Sequence, residues 1–293
     1  GVLADGFAAN MFTYQFLDNA ESLTPHDLFN ITAAVHRTKL AAARRTDDIL
    51  QATGLNNFLV STMVMRLALT DTKKGLVWDY VIERTYKFET EHNVPLSHAA
   101  FCPQDTAAFT RAPRWQLEFF KNGSPIEPDV QAQEAPGRVT LLSRFDPPLT
   151  KGDSLFVRER YRYPYLAPIH TGQGVRQSIR VGANTFDAFD GAAVIHRIQH
   201  LKLIYSFPRL YVTKALQPTV ATFSYTLDHV NDEEVARLIS EKCFETDTFD
   251  QRVRATLSVE RPLYQYFYGL VWNLPEPDSL PNGIASEDVD WDD

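Results

Sequence analysis

Three arginines at alternate positions, Arg158, Arg160 and Arg162, are the side chains in this sequence whose type and spacing most suggest chemistry. They lie in the run Val157-Arg158-Glu159-Arg160-Tyr161-Arg162-Tyr163-Pro164-Tyr165. Strand alternation puts the arginines on one face and Tyr161, Tyr163 and Tyr165 on the other. Neighbouring arginines two residues apart are roughly 7 Å apart at their bases, close enough to grip one phosphate or carboxylate cluster together. Such a row repels itself unless something anionic pairs with it. Asp and Glu on an adjoining strand would make it an ordinary ion-pair network. A phosphate, a nucleotide or an acidic segment of a partner would make it a binding surface. The chain's own acidic end is a further source of carboxylates. Arg158, Arg160 and Arg162 are therefore the candidate ligand- or partner-binding residues.

Other reactive side chains do not assemble into a motif. His196 and His200 would share a helix face, but the surrounding Val194–Leu201 run has a period of two. On a strand they stand about 13 Å apart and do not share an ion. Gly172-Gln173-Gly174 neither follows a strand nor opens a helix, so it is not a dinucleotide fingerprint. The sequence lacks a Gly-x-Ser-x-Gly elbow, a phosphate-binding Walker loop and a His-Glu-x-x-His pair. Its two cysteines, Cys102 and Cys243, form no zinc spacing and read as free thiols of a reducing compartment, with one long-range disulfide as the alternative. No catalytic residue, metal ligand or cofactor is assigned from sequence.

The elements that must position these residues are mostly strands. Leu76, Trp78, Tyr80, Ile82, Tyr86 and Phe88 alternate with polar or smaller residues, which predicts a long half-buried strand. Lys73-Lys74-Gly75 would turn it against a strand over 59–69. Further strands are predicted over 114–120, 139–145, 155–163, 193–207, 220–227, 252–260 and 263–272. Lys121-Asn122-Gly123 and Thr150-Lys151-Gly152-Asp153 supply turns. One short helix is expected over 232–242, with Val235, Leu238 and Ile239 on one face. Parallel pairing needs long crossovers, usually helical, and only this one helix lies among the strands, so the sheets are expected to be mainly antiparallel. Residues 166–192, which hold four glycines, read as a long loop or a broken hairpin.

At the N-terminal end, Thr24 and Pro25 begin a helical pattern through Leu28, Ile31, Val35, Thr38, Ala42 and Ile49, closed by Gly54. This gives three regions: an N-terminal helical segment over 1–57, a β-sandwich region over 58–273 with an internal boundary near 166–192, and an acidic tail over 274–293 that is expected to be disordered. The stretches Phe145–Asp153 and Arg261–Leu263 resemble turns of Ig-like sandwiches. The fold expected is thus mainly β: an antiparallel Ig-like sandwich, one large or two small, with a long N-terminal helix.

Composition narrows the partners. The net charge is −8, and seven acidic residues with no Lys or Arg fall between Asn273 and Asp293. The rest of the chain carries 30 acidic and 29 basic residues, so bulk charge does not indicate nucleic-acid binding. No apolar run approaches the roughly 20 residues that span a bilayer. The first residues lack the pattern of a signal peptide. The chain does not begin with Met, which leaves room for an upstream segment. These features point to a cytoplasmic, non-enzymatic module, regulatory or scaffolding, whose partner is another protein and not a membrane. An anionic-ligand binder and a hydrolase with a site assembled from distant strands are the rival readings.

Overall fold

The computed structural model describes residues 58–273 apart from 73–74, 93, 102–114, 136–137, 165–169, 172–173, 176–178, 187, 209–217, 225–229, 250–251 and 265. The alternation that predicted a long strand produces a long hairpin, β1 (Phe58–Thr72) and β2 (Gly75–Phe88), paired antiparallel over nearly their whole length. Met63, Met65, Leu67 and Leu69 of β1 and Trp78, Tyr80, Ile82, Tyr86 and Phe88 of β2 are buried on one side. This hairpin is the centre of an eight-stranded sheet.

On one flank β2 pairs with β8 (Ser154–Pro164), then β4 (Trp115–Lys121) and β5 (Ser124–Ile126). On the other, β1 pairs with β14 (His200–Pro208), β17 (Arg252–Glu260) and β16 (Phe244–Phe249). Every neighbouring pair is antiparallel except β1 and β14, which run parallel with Met63 opposite Leu201. The protein is therefore mainly β and mainly antiparallel, as expected, with one parallel pair inside one large sheet. Among the described residues the connection from β1 to β14 runs through other strands, so the crossover helix that usually marks a parallel pair gave the sequence reading no signal.

Two three-stranded sheets accompany it. One has the order β13 (Ala188–Ala193), β18 (Tyr266–Trp272), β15 (Thr219–Ser224). The other is β3 (Leu96–Phe101), β7 (Arg138–Arg144), β6 (Asp129–Ala135). Residues 166–192, read as a loop or broken hairpin, contain β9 (His170–Thr171) with β10 (Gly174–Val175), then β11 (Ile179–Val181) with β12 (Asn184–Phe186), before β13 begins. The strand expected over 193–207 is instead split: β13 ends at Ala193, and β14 starts at His200.

The core joins the inner face of the large sheet to β18, with Tyr205, Phe207, Tyr268 and Trp272 fully enclosed. The expected helix forms as α1 (Asp232–Ser240). The Asn231 side chain caps it by accepting from the Glu234 backbone N–H at 3.1 Å, and Asp232, Glu233 and Glu234 complement the positive end of the helix dipole. Val235 and Leu238 are buried, whereas Ile239, expected on the same face, is 54% exposed. Among the described residues no helix is long and apolar enough to cross a membrane. The helix read over 24–54, Cys102 and the tail over 274–293 lie outside the described residues.

Candidate functional site

The arginine row falls on β8, and the register of the sheet fixes what surrounds it. Val81 lies between Arg66 of β1 and Arg160 of β8, and Gln116 follows on β4. The next row runs Lys202, Val64, Glu83, Arg158, Glu118. The row beyond runs Ser206, Ala68, Asp79, Arg162. Arg158 donates from Nε to Glu83 and from Nη1 to Glu118, each at 3.0 Å. Arg66 meets the other oxygen of Glu83 at 2.5 Å, and Arg162 donates to Asp79 at 2.5 Å. These bonds, the Glu83 bond above all, hold the Arg158 guanidinium pKa above its usual value.

Arg160 is different. It is exposed and has no acidic partner among the described residues. The structure thus brings the three sequence-selected arginines onto one outward face. It supplies carboxylates to two of them and leaves the middle one open. Carried on to β17 and β16, where the same rows meet Arg254, Asp247 and Glu245, the face holds six cationic and five acidic side chains, with Val64, Ala68, Val81 and Ile204 between them. His196 and His200 are not brought together. His196 packs edge-on to Phe58 at 5.0 Å, and His200 faces Glu260 at 2.6 Å.

Opposite this surface, the inner side of the same strands holds polar groups that sequence reasoning did not select. Glu159, between the outward arginines, points inward and is only 1% exposed. It pairs with Arg84 and, at 3.1 Å, with His98 Nδ1. Burial, then the nearby Arg84 charge, pushes the His98 pKa down to about 3, so the ring is neutral with Nδ1–H donating to the carboxylate. Burial and Arg84 also lower His196, to about 4. His98 Nε2, Ser143 Oγ and Trp115 Nε1 are buried without a hydrogen-bond partner among the described residues. Leu96 pairs with Ser143 and His98 with Leu141, which sets His98 and Ser143 on one face of the β3–β7 sheet, above Trp115 and Phe119.

Acid and imidazole are thus paired as in a nucleophilic relay, with a hydroxyl on the same sheet face but not bonded to the ring. Two facts argue against that chemistry. A general base works best with a pKa near the operating pH, and His98 lies far below it. Ser143 has no exposed surface with which to meet a substrate.

A second interior group sits where the large sheet meets β13. Asp190 accepts a hydrogen bond from the Tyr80 hydroxyl, and the Tyr80 ring stacks on Tyr161 at 4.7 Å. Burial raises the Asp190 pKa to about 7, against the bonds from Tyr80 and the Gly191 backbone that favour its charged form. Burial and the Asp190 charge in turn push the Tyr205 hydroxyl well up. A carboxyl poised near neutrality is suited to proton transfer, and this one is half-buried with an oxygen held by the Tyr80 hydroxyl. Among the described residues no cluster of three His, Cys, Asp or Glu side chains could hold a metal ion.

The sequence contained a signal for the first inward group. The alternation that turns Arg158, Arg160 and Arg162 outward turns Glu159 inward with Tyr161, and Arg84 is the gap in the apolar row of β2. Nothing in the local pattern marks Asp190.

No family model matches the chain, and no curated protein matches it. Among solved structures it is similar to a proposed protease from Parabacteroides distasonis, with 7% identity and a TM-score of 0.44 over 75% of this chain and 41% of that one. It is also similar to an M1 zinc metallopeptidase from Deinococcus radiodurans, with 12% identity and a TM-score of 0.35 over 73% of this chain and 42% of that one. The chain spans about two fifths of the length of these proteins. Likeness at this level carries no argument about activity.

Proposed function

We propose that this chain is a non-enzymatic protein-interaction module, cytoplasmic and regulatory or scaffolding in role, that receives an acidic segment of a partner on the outward face of its large sheet. The observation that carries the reading is Arg160. It stands exposed at the middle of a charged face, between two arginines that already have carboxylates. A purely structural ion-pair network would be expected to match every cation. Here the surplus charge is available to a partner, and Val64, Ala68, Val81 and Ile204 offer apolar contact between the charges. Rim charges of this kind steer association and make it salt-dependent.

The test is the substitution Arg160→Glu. Because Arg160 is exposed and has no acidic partner among the described residues, the melting temperature should stay within about 2 °C of the parent, as for surface substitutions generally. Binding of a labelled ten-residue polyglutamate peptide should fall at least tenfold and weaken steeply with salt in the parent. Unfolding of the variant, or equal peptide binding by variant and parent at every salt concentration, overturns the reading. So does failure of the parent to bind at low salt both with and without residues 274–293. Binding of inorganic phosphate but not of the peptide would point instead to a small anionic ligand.

A further inference from the structure

Strand β6 ends its three-stranded sheet and leaves one side of its backbone open. We propose that this edge joins the same edge of a second copy of the chain, in an antiparallel ladder centred on Gln131 that merges two three-stranded sheets into one of six.

The edge is bare because of where it sits. His98 of β3 lies over Glu159 of β8, and Leu141 of β7 packs on Trp115 and Leu117 of β4. β6 comes next in that order, beyond β4, where the large sheet continues only as the three residues of β5. The inner face of β6 therefore overhangs the large sheet. Val130 and Ala132 share that face with Ser143 and Leu141. The two β7 residues are buried, whereas Val130 is 40% exposed and Ala132 is exposed too. Asp129, Gln131 and Gln133, on the other face, are also exposed. Among the described residues no backbone group bonds to the open side of β6.

Free edges are usually blunted by Lys, Pro, a bulge or a covering element. Residues 129–135 contain no Lys, Arg or Pro, and β6 pairs with β7 without a register shift. The strand is instead compatible with itself. A two-fold axis perpendicular to a sheet sets each residue opposite one on the same face. With the axis at Gln131, Val130 faces Ala132 of the second copy, and Asp129 faces its Gln133. The inner rows then run Ser143, Val130, Ala132, Leu141, so the exposed apolar side chains of the two copies meet. On the outer face the Asp129 carboxylate accepts from the Gln133 amide, and the two Gln131 amides bond each other. No like charges stand opposite.

β16, the edge at the far end of the large sheet, lacks this property. Glu245 and Asp247 share its outward face, and a ladder centred on 245, 246 or 247 sets carboxylates against each other. Charge thus closes one free edge to a second copy and leaves the other open. A ladder over 129–133 is small beside the roughly 1,200–2,000 Å² of a stable interface, so the dimer is weak and depends on concentration.

Sedimentation of the full chain at rising concentration should show a monomer–dimer equilibrium. Ala132→Lys places a charge at an exposed position of the edge. It should leave the melting temperature unchanged and keep the chain monomeric where the parent is mostly dimer. Register is tested with cysteines in a Cys102→Ser, Cys243→Ser background. On the axis, residue 131 and its copy have Cβ atoms roughly 5 Å apart, a small adjustment from disulfide geometry. Residue 133 and its copy lie roughly 13 Å apart along the strands. Under oxygen with a copper–phenanthroline catalyst, Gln131→Cys should form a covalent dimer at least tenfold faster than Gln133→Cys. A parent that stays monomeric, dimers that survive Ala132→Lys, or equal cross-linking at 131 and 133 overturns the inference. Where the double-serine background does not fold, sedimentation of the parent against Ala132→Lys decides alone.

Discussion

At the scale of single residues, the large sheet divides its polar groups by face. On the outward side, ion pairs such as Arg66 with Glu83 and Arg162 with Asp79 are solvated and contribute modestly. On the inward side, Glu159 is enclosed with Arg84 and His98, and there the stakes differ. Removing one partner of a buried pair leaves an uncompensated charge and costs about 3–5 kcal/mol. Glu159→Gln should therefore lower stability by about 3 kcal/mol, visible in urea titration as a lower midpoint at an unchanged slope. A midpoint equal to the parent's would show that Arg84 is fully satisfied by solvent. Trp78, anticipated from alternation as a core residue, is 3% exposed and packs against Phe207 and Trp272 at about 6 Å. Trp78→Ala should cost about 3–5 kcal/mol and reduce soluble yield. A variant that melts like the parent would mean that the interior rearranges to fill the space.

Elements show which parts of the fold could be read from sequence and which could not. The turn at 150–153 was legible because its chemistry is local. Asp153 accepts from the Thr150 backbone and hydroxyl and pairs with Lys121, and these bonds outweigh burial and hold its carboxyl well below the usual range. The hairpin at Asn122-Gly123 was legible because both residues take positive φ, 51° and 84°. β1, β2, β8 and β17 were legible from alternation. β3, β6 and β16 were not, since their sequences do not alternate clearly, and β13 was hidden by its small residues. The reason for those small residues lies in the partner strand. Gly191 of β13 faces Gly269 of β18, and a Cβ on Gly269 would meet the Asp190 carbonyl oxygen at 2.1 Å and the Gly191 Cα at 2.8 Å. The obstacles are backbone atoms that cannot move aside without breaking the ladder. Gly269→Ala should cost more than 3 kcal/mol or prevent folding, as overpacking against backbone does at its severe end. Gly152→Ala is the control. Space around Gly152 is open and only its φ of +90° resists a side chain, so a loss of about 1 kcal/mol is expected. Equal losses at both positions, measured by thermal melting, would refute the close-approach account.

At the scale of the whole molecule, buried ionisable groups set how stability depends on pH, and they oppose one another. Asp190 has a folded pKa of about 7 against an ordinary 3.8. Between those values the folded chain holds a proton that the unfolded chain has released, so this group's contribution falls as pH rises. His98 and His196 have folded pKa values of about 3 and 4 against an ordinary 6.5. Below 6.5 the unfolded chain takes up protons that these folded histidines refuse, so their contribution falls as pH drops. From pH 4 to 6.5 the histidines, His92 among them since burial lowers it too, outweigh one carboxyl, and stability rises with pH. Around pH 7 the unfolded histidines finish losing their protons while the folded Asp190 carboxyl ionises, and the two slopes nearly cancel. The melting temperature should therefore rise from pH 4 and level off around pH 7. A shift of about three pKa units corresponds to roughly 4 kcal/mol of penalty at pH 8. Asp190→Asn removes that penalty and keeps an acceptor for the Tyr80 hydroxyl, but its amide N–H groups need partners, at about 1–3 kcal/mol if unmet. The net gain should be about 2 kcal/mol at pH 8 and vanish or reverse near pH 4, where the native carboxyl is protonated in the fold. Paired thermal melts of parent and variant from pH 4 to 8 separate the cases. A variant less stable than the parent at pH 8 would show that the ionised carboxylate is an asset to the interior and that Tyr80 and Tyr205 solvate it better than burial penalises it.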